Sequence, residues 1–242
     1  MEKCGYLRFL TSFVIVLYLV TIISPLNEQS LKIPNDIAFW KEKFGIDCTV
    51  PPKNIAASAI MNRPGTMRTA SMPGGCIMIH LETERLLLRN VQPEDVAVIY
   101  DYRNNEICAR YQRGQVKNLS EISALVERHL HDTLSVEAPA MVAVALKATN
   151  EMVGEIQVMP NDGAISLGYT FHYNYHRKGY AMEALSTLTE LLHSAYPEWE
   201  FISFTEPENE PSMALLRKLG YRDLGYVPQL DSQMFGKWLK QE

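Results

Sequence analysis

The chain has 242 residues, enough for one ordinary domain with an extension or for two small ones, and its 47% hydrophobic and 21% charged content is globular rather than disordered or collagen-like. Its 23 Lys+Arg against 28 Asp+Glu leave a net charge of −5 with no Lys/Arg block, which argues against nucleic acid as a partner. Cys4, Cys48, Cys76 and Cys108 stand far apart without a CxxC pair, and the six histidines form no HExxH pattern, so neither a zinc ribbon, a disulfide scaffold nor a catalytic metal is expected.

Residues 1–26 form a hydrophobic N-terminal segment. Between positions 6 and 26 only Arg8 is charged, and about 20 apolar residues suffice to span a bilayer. Lys3 and Arg8 precede the apolar run, and Pro25 follows Ser24 where a cleavage site would fall. An uncleaved membrane anchor carrying a cytosolic domain is the favoured expectation. A cleaved signal and a soluble cytoplasmic protein starting at an internal Met are the alternatives. Residues 27–76 carry Pro51, Pro52, Pro64, Pro73, Gly65, Gly74 and Gly75 among scattered Ser and Thr, which is the composition of a poorly ordered linker.

Residues 77–242 read as the folded domain. The Leu86-Leu87-Leu88 run is a strand. Pro93, Glu94 and Asp95 suit a first helical turn, and Ser120 suits the N-cap of a second helix bearing Ile122, Leu125, Val126 and Leu130. Valine-rich strands at 141–146 and 152–158 follow, then the turn Pro160-Asn161-Asp162-Gly163 and a strand at 165–171. The period then becomes helical, with Ala181, Ala184, Leu185, Leu188, Leu191, Leu192 and Ala195 on one face. A strand at 201–205, a short helix opened by Pro211 and stopped by Gly220, and one or two strands at 221–239 complete the chain. The order predicts an α/β (α+β mixed) fold: a mixed sheet with helices on its faces.

The stretch between the strand at 165–171 and the long helix carries the chemistry. It reads Phe171-His172-Tyr173-Asn174-Tyr175-His176-Arg177-Lys178-Gly179-Tyr180-Ala181. A helix N-terminus leaves N–H groups unpaired and favours anions. Gly179 permits close backbone approach, and Arg177 and Lys178 add positive charge, so the segment suits a pyrophosphate.

His176-Arg177-Lys178-Gly179-Tyr180-Ala181, followed by Glu183-Ala184, resembles the acetyl-CoA loop of the GNAT N-acetyltransferases, in particular their RimJ/RimL-like branch. Leu-Glu-Thr-Glu-Arg-Leu-Leu-Leu-Arg-Asn at 81–90 is similar to the branch's opening strand, and Val153-Gly154-Glu155-Ile156 to its middle strand. Asn209-Glu210-Pro211-Ser212 with Leu219-Gly220-Tyr221 is similar to its Asn-x-x-Ser…Leu-Gly-Phe/Tyr ending. The resemblance implies a mostly antiparallel GNAT sheet and acetyl-CoA as co-substrate without a metal. It implies a primary amine as acceptor, either a protein N-terminus or a small molecule, that attacks the thioester directly.

The resemblance also assigns residues. The N–H groups of Arg177, Lys178, Gly179, Tyr180 and Ala181 would hold the pyrophosphate, with His176 donating to a phosphate. Phe171, His172 and Tyr173 would pair with the pantetheine arm as an added strand does. Asn209 would touch that arm or cap its helix, and Ser212 would stand near the sulfur. Two departures stand out. Leu216 occupies the position where many GNAT enzymes have a tyrosine acid, and Ser166-Leu167-Gly168-Tyr169 lacks the branch's carboxylate. Glu155 on the neighbouring strand is the substitute base, with a water chain as the alternative. These departures also admit a second function, an acyl-CoA-binding module with little turnover. Asn118-Leu119-Ser120 is a glycosylation triplet expected to stay unmodified in a cytosolic domain.

Overall fold

The computed structural model describes residues 66–72 and 75–240. Among these residues nine strands form one sheet in the order β1-β2-β3-β4-β5-β6-β7-β9-β8. The first six are β1 (Thr66–Met72), β2 (Gly75–Glu82), β3 (Leu86–Asn90), β4 (Ala140–Leu146), β5 (Met152–Asn161) and β6 (Ala164–Phe171). β7 (Glu200–Thr205), β8 (Arg222–Val227) and β9 (Ser232–Lys237) complete it. Every neighbouring pair is antiparallel except β6 and β7.

The hairpin β1–β2 differs from the sequence expectation, because β1 and the first residues of β2 fall inside the stretch read as linker. Thr66 to Met72 is a short run with few large apolar residues, and Pro and Gly flank it on both sides. Pairing with β2, from Thr66↔Leu81 to Met72↔Gly75, makes it a strand. The apolar segment at 6–26 lies outside the described residues. Among the described residues no helix is long and apolar enough to cross a membrane.

Helices cover both faces of the sheet. A 3-10 turn at Pro93–Asp95 leads into α1 (Val96–Asn104). Asp95 is buried and accepts from Arg89 Nη1 and Nη2 at 2.8 and 2.9 Å and from Gln92 N–H at 2.8 Å, which ties the helix start to β3. α2 (Glu106–Ala109) is one turn. α3 (Leu119–His129) is capped by Asn118, whose side chain accepts from Ser120 N–H at 2.9 Å, so the cap lies two residues before the expected Ser120. Asn outranks Ser only slightly as an N-cap, and the apolar spacing alone does not distinguish them. α4 (Tyr180–Ala195) and α5 (Glu210–Lys218) lie on the opposite face.

β4 shows how the layers divide. Its residues alternate with the two-residue strand period. Val142 and Val144 join Ile156, Val158, Leu167, Leu185, Leu188 and Leu192 in one core, while Met141 and Ala143 join Ile99, Tyr102, Ile122 and Val126 in the other. β4 is therefore buried on both sides, which explains its nearly continuous apolar run.

β6 and β7 stay together for three pairs only: Ala164↔Glu200, Ile165↔Phe201 and Ser166↔Ile202. Beyond Ser166, β6 keeps its pairing with β5 as far as Phe171, and β7 keeps its pairing with β9 as far as Thr205. The two strands part, and a wedge opens between their C-terminal ends.

Candidate active site

The wedge exposes polar backbone from a strand that is otherwise buried. His172 N–H bonds Val153 O across β5 at 2.9 Å. By the alternation of an antiparallel ladder, Leu167, Tyr169 and Phe171 then turn their backbone groups toward the wedge. Two of those carbonyls are engaged. Tyr169 O accepts from Gln112 Nε2 at 3.2 Å, and Phe171 O accepts from Cys108 Sγ at 3.3 Å and lies 2.7 Å from His176 Nε2. The backbone that turns toward the wedge thus runs from Leu167 to Phe171, the first residue of the expected Phe171-His172-Tyr173 stretch, with the Tyr169 and Phe171 carbonyls already held by side chains, while His172 N–H is taken by β5. Burial pushes the Cys108 thiol up to about 11, so it stays protonated at neutral pH.

After β6 the chain makes a 3-10 turn at Tyr173–Tyr175 and enters α4 through Arg177 at φ +60° and Gly179 at φ +83°. Both lie in the left-handed region. Gly179 is the N-cap of α4, so the N–H groups of Tyr180, Ala181 and Met182 have no carbonyl of their own helix to bond. A Cβ at Gly179 would come within 3.3 Å of Arg85 Nη2.

Arg85 belongs to this loop although it comes from the turn before β3. Its Nη1 donates to Lys178 O at 3.0 Å and its guanidinium lies 4.6 Å from the centre of the Tyr180 ring. Its Nε and N–H donate to Glu183 at 2.7 and 2.9 Å, and Thr83 Oγ1 donates to the same carboxylate at 2.5 Å. Partial burial pushes the Glu183 carboxyl up, but these hydrogen bonds outweigh it and hold the group below its ordinary value. Lys178 Nζ sits 4.7 Å from the centre of the Tyr175 ring. The start of α4 is thus a rigid, positively charged rim with free N–H groups, and it can hold an anion such as a pyrophosphate.

The two histidines of the loop brace it. His176 turns back to Phe171 O rather than outward. His172 accepts from Asn174 N–H on Nδ1 at 3.2 Å, faces Asp101 Oδ2 with Nε2 at 2.9 Å and stacks on Tyr173.

On the other side of the wedge, Asn209 caps α5 by accepting from Ser212 N–H at 3.2 Å, and Ser212 Oγ lies 2.8 Å from the Tyr169 hydroxyl on β6. Asn209 and Ser212 therefore stand together at the start of α5, with Asn209 as its cap. Burial pushes the Tyr169 phenol up to about 12, partly offset by the bond with Ser212. Leu216, one turn on, is buried in the core.

Glu155 lies on the opposite face of the sheet, in register with Thr170. It is 1% exposed, and both its oxygens accept from Arg103 Nη2, at 2.7 and 3.0 Å. That face of the wedge is crossed by the segment between α2 and α3. Besides the Gln112 bond, Gln115 Nε2 donates to Thr170 Oγ1 at 3.2 Å. Arg113 pairs with Glu206 and donates to Leu230 O and Asp231 O, each at 2.8 Å. Arg85, Arg103 and Tyr169 are the site residues that sequence reasoning missed. Each is joined to a partner at least 43 positions away, and no local signal reports such a pairing.

Comparison with known proteins gives the family and the fold. The family model described as Acetyltransferase (GNAT) domain matches residues 85–222. The uncharacterized N-acetyltransferase YnaD of Bacillus subtilis is 27% identical over 150 residues, covering 61% of this chain and 85% of YnaD. The apo structure of RimL, a ribosomal L7/L12 alpha-N-protein acetyltransferase, superposes with a TM-score of 0.59 at 16% identity, covering 70% of this chain and 99% of RimL. RimL in complex with coenzyme A superposes at 0.53 with 15% identity, covering 64% and 94%. At such identities the structures show a shared fold.

Proposed function

Because the chain belongs to the GNAT acetyltransferase family, with the family model spanning more than half of it, we propose that it transfers the acetyl group of acetyl-CoA to a primary amine. The observation that carries this reading is the wedge between β6 and β7, open beside a glycine-capped helix start. The N–H groups at the start of α4, with Arg85 and Lys178 beside them, suit the pyrophosphate. The side of β6 that turns from β7 toward the wedge, between Leu167 and Phe171, suits the amide-bearing pantetheine arm, which would extend the sheet as an added strand does, displacing the side chains that now hold its carbonyls. A strand N–H in the wedge would then meet the acetyl oxygen as charge builds on it.

The acceptor amine would enter from the face crossed by Gln112, Arg113 and Gln115. Its nitrogen attacks the thioester carbon, the C–N bond forms, and the C–S bond breaks with its electron pair on sulfur. Ser212, in the first turn of α5, stands where a hydroxyl can serve the departing sulfur. Glu155 is committed to the Arg103 guanidinium, so the amine proton is assigned to a water chain rather than to that carboxylate. The acceptor is proposed as a protein N-terminus, the kind of group named for RimL, or a small-molecule amine. The absence of a free carboxylate at Ser166 favours a second reading, a module that binds acyl-CoA with little turnover. Attachment of residues 6–26 to a membrane belongs to the same proposal, and fractionation of the full chain beside one lacking residues 1–26 tests it.

Calorimetric titration of the full chain with acetyl-CoA, wild type and Gly179→Asp, is the deciding experiment. Aspartate adds a Cβ at positive φ and a negative charge on the rim, so binding to the wild type is expected to vanish in the variant. A folded wild type that does not bind acetyl-CoA refutes the proposal. Thiol release with a panel of amines separates the enzyme from the binding module.

A further inference from the structure

We infer that Tyr169 is a positioning residue for Ser212: its phenol holds the serine hydroxyl across the wedge and aims the serine proton at the sulfur of the thioester. The inference rests on the acetyl-CoA site proposed above. Tyr169 points from β6 toward α5, on the same face as Leu167 and Phe171, and its register partner on β5 is Ile156. Ser212 sits on the other limb of the wedge. Its N–H is fixed by Asn209 Oδ1 at 3.2 Å and its Oγ by the Tyr169 hydroxyl at 2.8 Å. Tyr169 is itself fixed at its backbone by Gln112 at 3.2 Å. Neither hydroxyl swings freely.

The direction of the bond follows from acidity. A phenol is a stronger donor than an aliphatic hydroxyl, so Tyr169 donates and Ser212 Oγ accepts. The serine proton is then free to point away from Tyr169. A donor that is also an acceptor is a better donor, because hydrogen bonds in a chain polarise one another. The pair does not give up a proton. The phenol titrates at about 12, whereas an ordinary thiol titrates near ~8.5, so proton transfer to the thiolate runs uphill. As the C–S bond breaks and its electron pair settles on sulfur, the thiolate receives a hydrogen bond from Ser212. The nitrogen proton leaves to solvent, and both hydroxyls end the step as they began it.

The thiol acidity of bound coenzyme A reads this contact without any acceptor. Titrating the ultraviolet thiolate absorbance of coenzyme A on the full chain compares wild type, Tyr169→Phe, Ser212→Ala and the double variant. The expected result is a thiol pKa raised by about one unit in each single variant. The double variant is expected to show no further rise, because the two residues act through one hydrogen bond. Tyr169→Phe removes one oxygen and keeps the ring in the core, and Ser212→Ala reports independently if that variant fails to fold. A wild-type pKa in Tyr169→Phe alongside a raised one in Ser212→Ala overturns the positioning role. Additive shifts overturn it too, since they make Tyr169 an independent donor. Unchanged values in all variants remove sulfur contact from both residues. A wild type that does not bind coenzyme A fails at the earlier step, the cofactor site itself.

Discussion

Glu183 accepts both the backbone N–H and the Nε of Arg85, at 2.9 and 2.7 Å, and so binds the first turn of α4 to a strand entrance 98 positions earlier. The pair is partly exposed, with Arg85 at 44%, so solvent screening leaves it little worth to global stability. Its position matters more, because Arg85 also holds Lys178 O and covers Tyr180 on the rim of the anion site. Glu183→Gln is therefore expected to weaken acetyl-CoA binding by about ten-fold while melting within a few degrees of the wild type. Calorimetry with acetyl-CoA and a thermal melt check the two halves. Equal affinity in the variant would make the contact purely structural.

Gly154 is needed for the close approach of β5 to β6. A Cβ there would lie 2.6 Å from Thr170 O and 2.9 Å from the Phe171 ring. The first of these is backbone and cannot turn aside. Gly154→Ala is expected to cost about 1–3 kcal/mol in chemical denaturation. It should also shift Phe171, the last paired residue of β6, and with it the wedge. A variant as stable as the wild type would show that the strands separate here at little cost.

Burial without partners makes His80 an acid-sensitive point. It is fully buried on β2, and neither ring nitrogen finds a hydrogen-bond partner among the described residues. Desolvation lowers its pKa from 6.5 to about 4, against a smaller opposing pull from Asp132. The unfolded chain thus binds a proton in a range where the folded chain does not. Stability is fully present above pH 6.5 and falls as the pH drops toward 4, by about 3 kcal/mol over that span. Urea denaturation at pH 7 and pH 4.5 should show the loss in the wild type and a smaller one in His80→Leu. An equal loss in both would move the acid sensitivity elsewhere.

The parts legible in the sequence were those that neighbouring residues decide. The helical period of α4 and the left-handed entrance at Gly179 depend on a few adjacent positions. So does the two-residue turn Asp162-Gly163, with φ of 43° and 79° between Asn161↔Ala164. β1 was not legible, because its strand character comes from pairing with β2 and its own residues are those of a linker. The wedge was not legible, since nothing in β6 or β7 alone says that they pair in parallel or that the pairing stops after Ser166. Ser212 and Asn209 came from a motif, but the partner that fixes the Ser212 hydroxyl lies 43 positions earlier. Glu155 was named as the nearest carboxylate on the neighbouring strand, and the charge that engages it sits 52 positions before it on α1.

That last pair separates stability from catalysis. Arg103 and Glu155 are 3% and 1% exposed at their side chains, so removing one leaves the other buried and unpaired. Arg103→Met is expected to cost about 3–5 kcal/mol. Replacing both, as Arg103→Met with Glu155→Leu, removes both desolvation costs and is expected to recover most of that loss. A double-mutant cycle by urea denaturation measures the coupling. The same double variant tests the proton path. With the amine proton leaving through water, it should retain acetyl transfer within a few-fold of the wild type and an unaltered pH profile. A variant that folds and binds acetyl-CoA normally but loses transfer by a hundred-fold or more, with the loss concentrated in kcat, would restore Glu155 as the base.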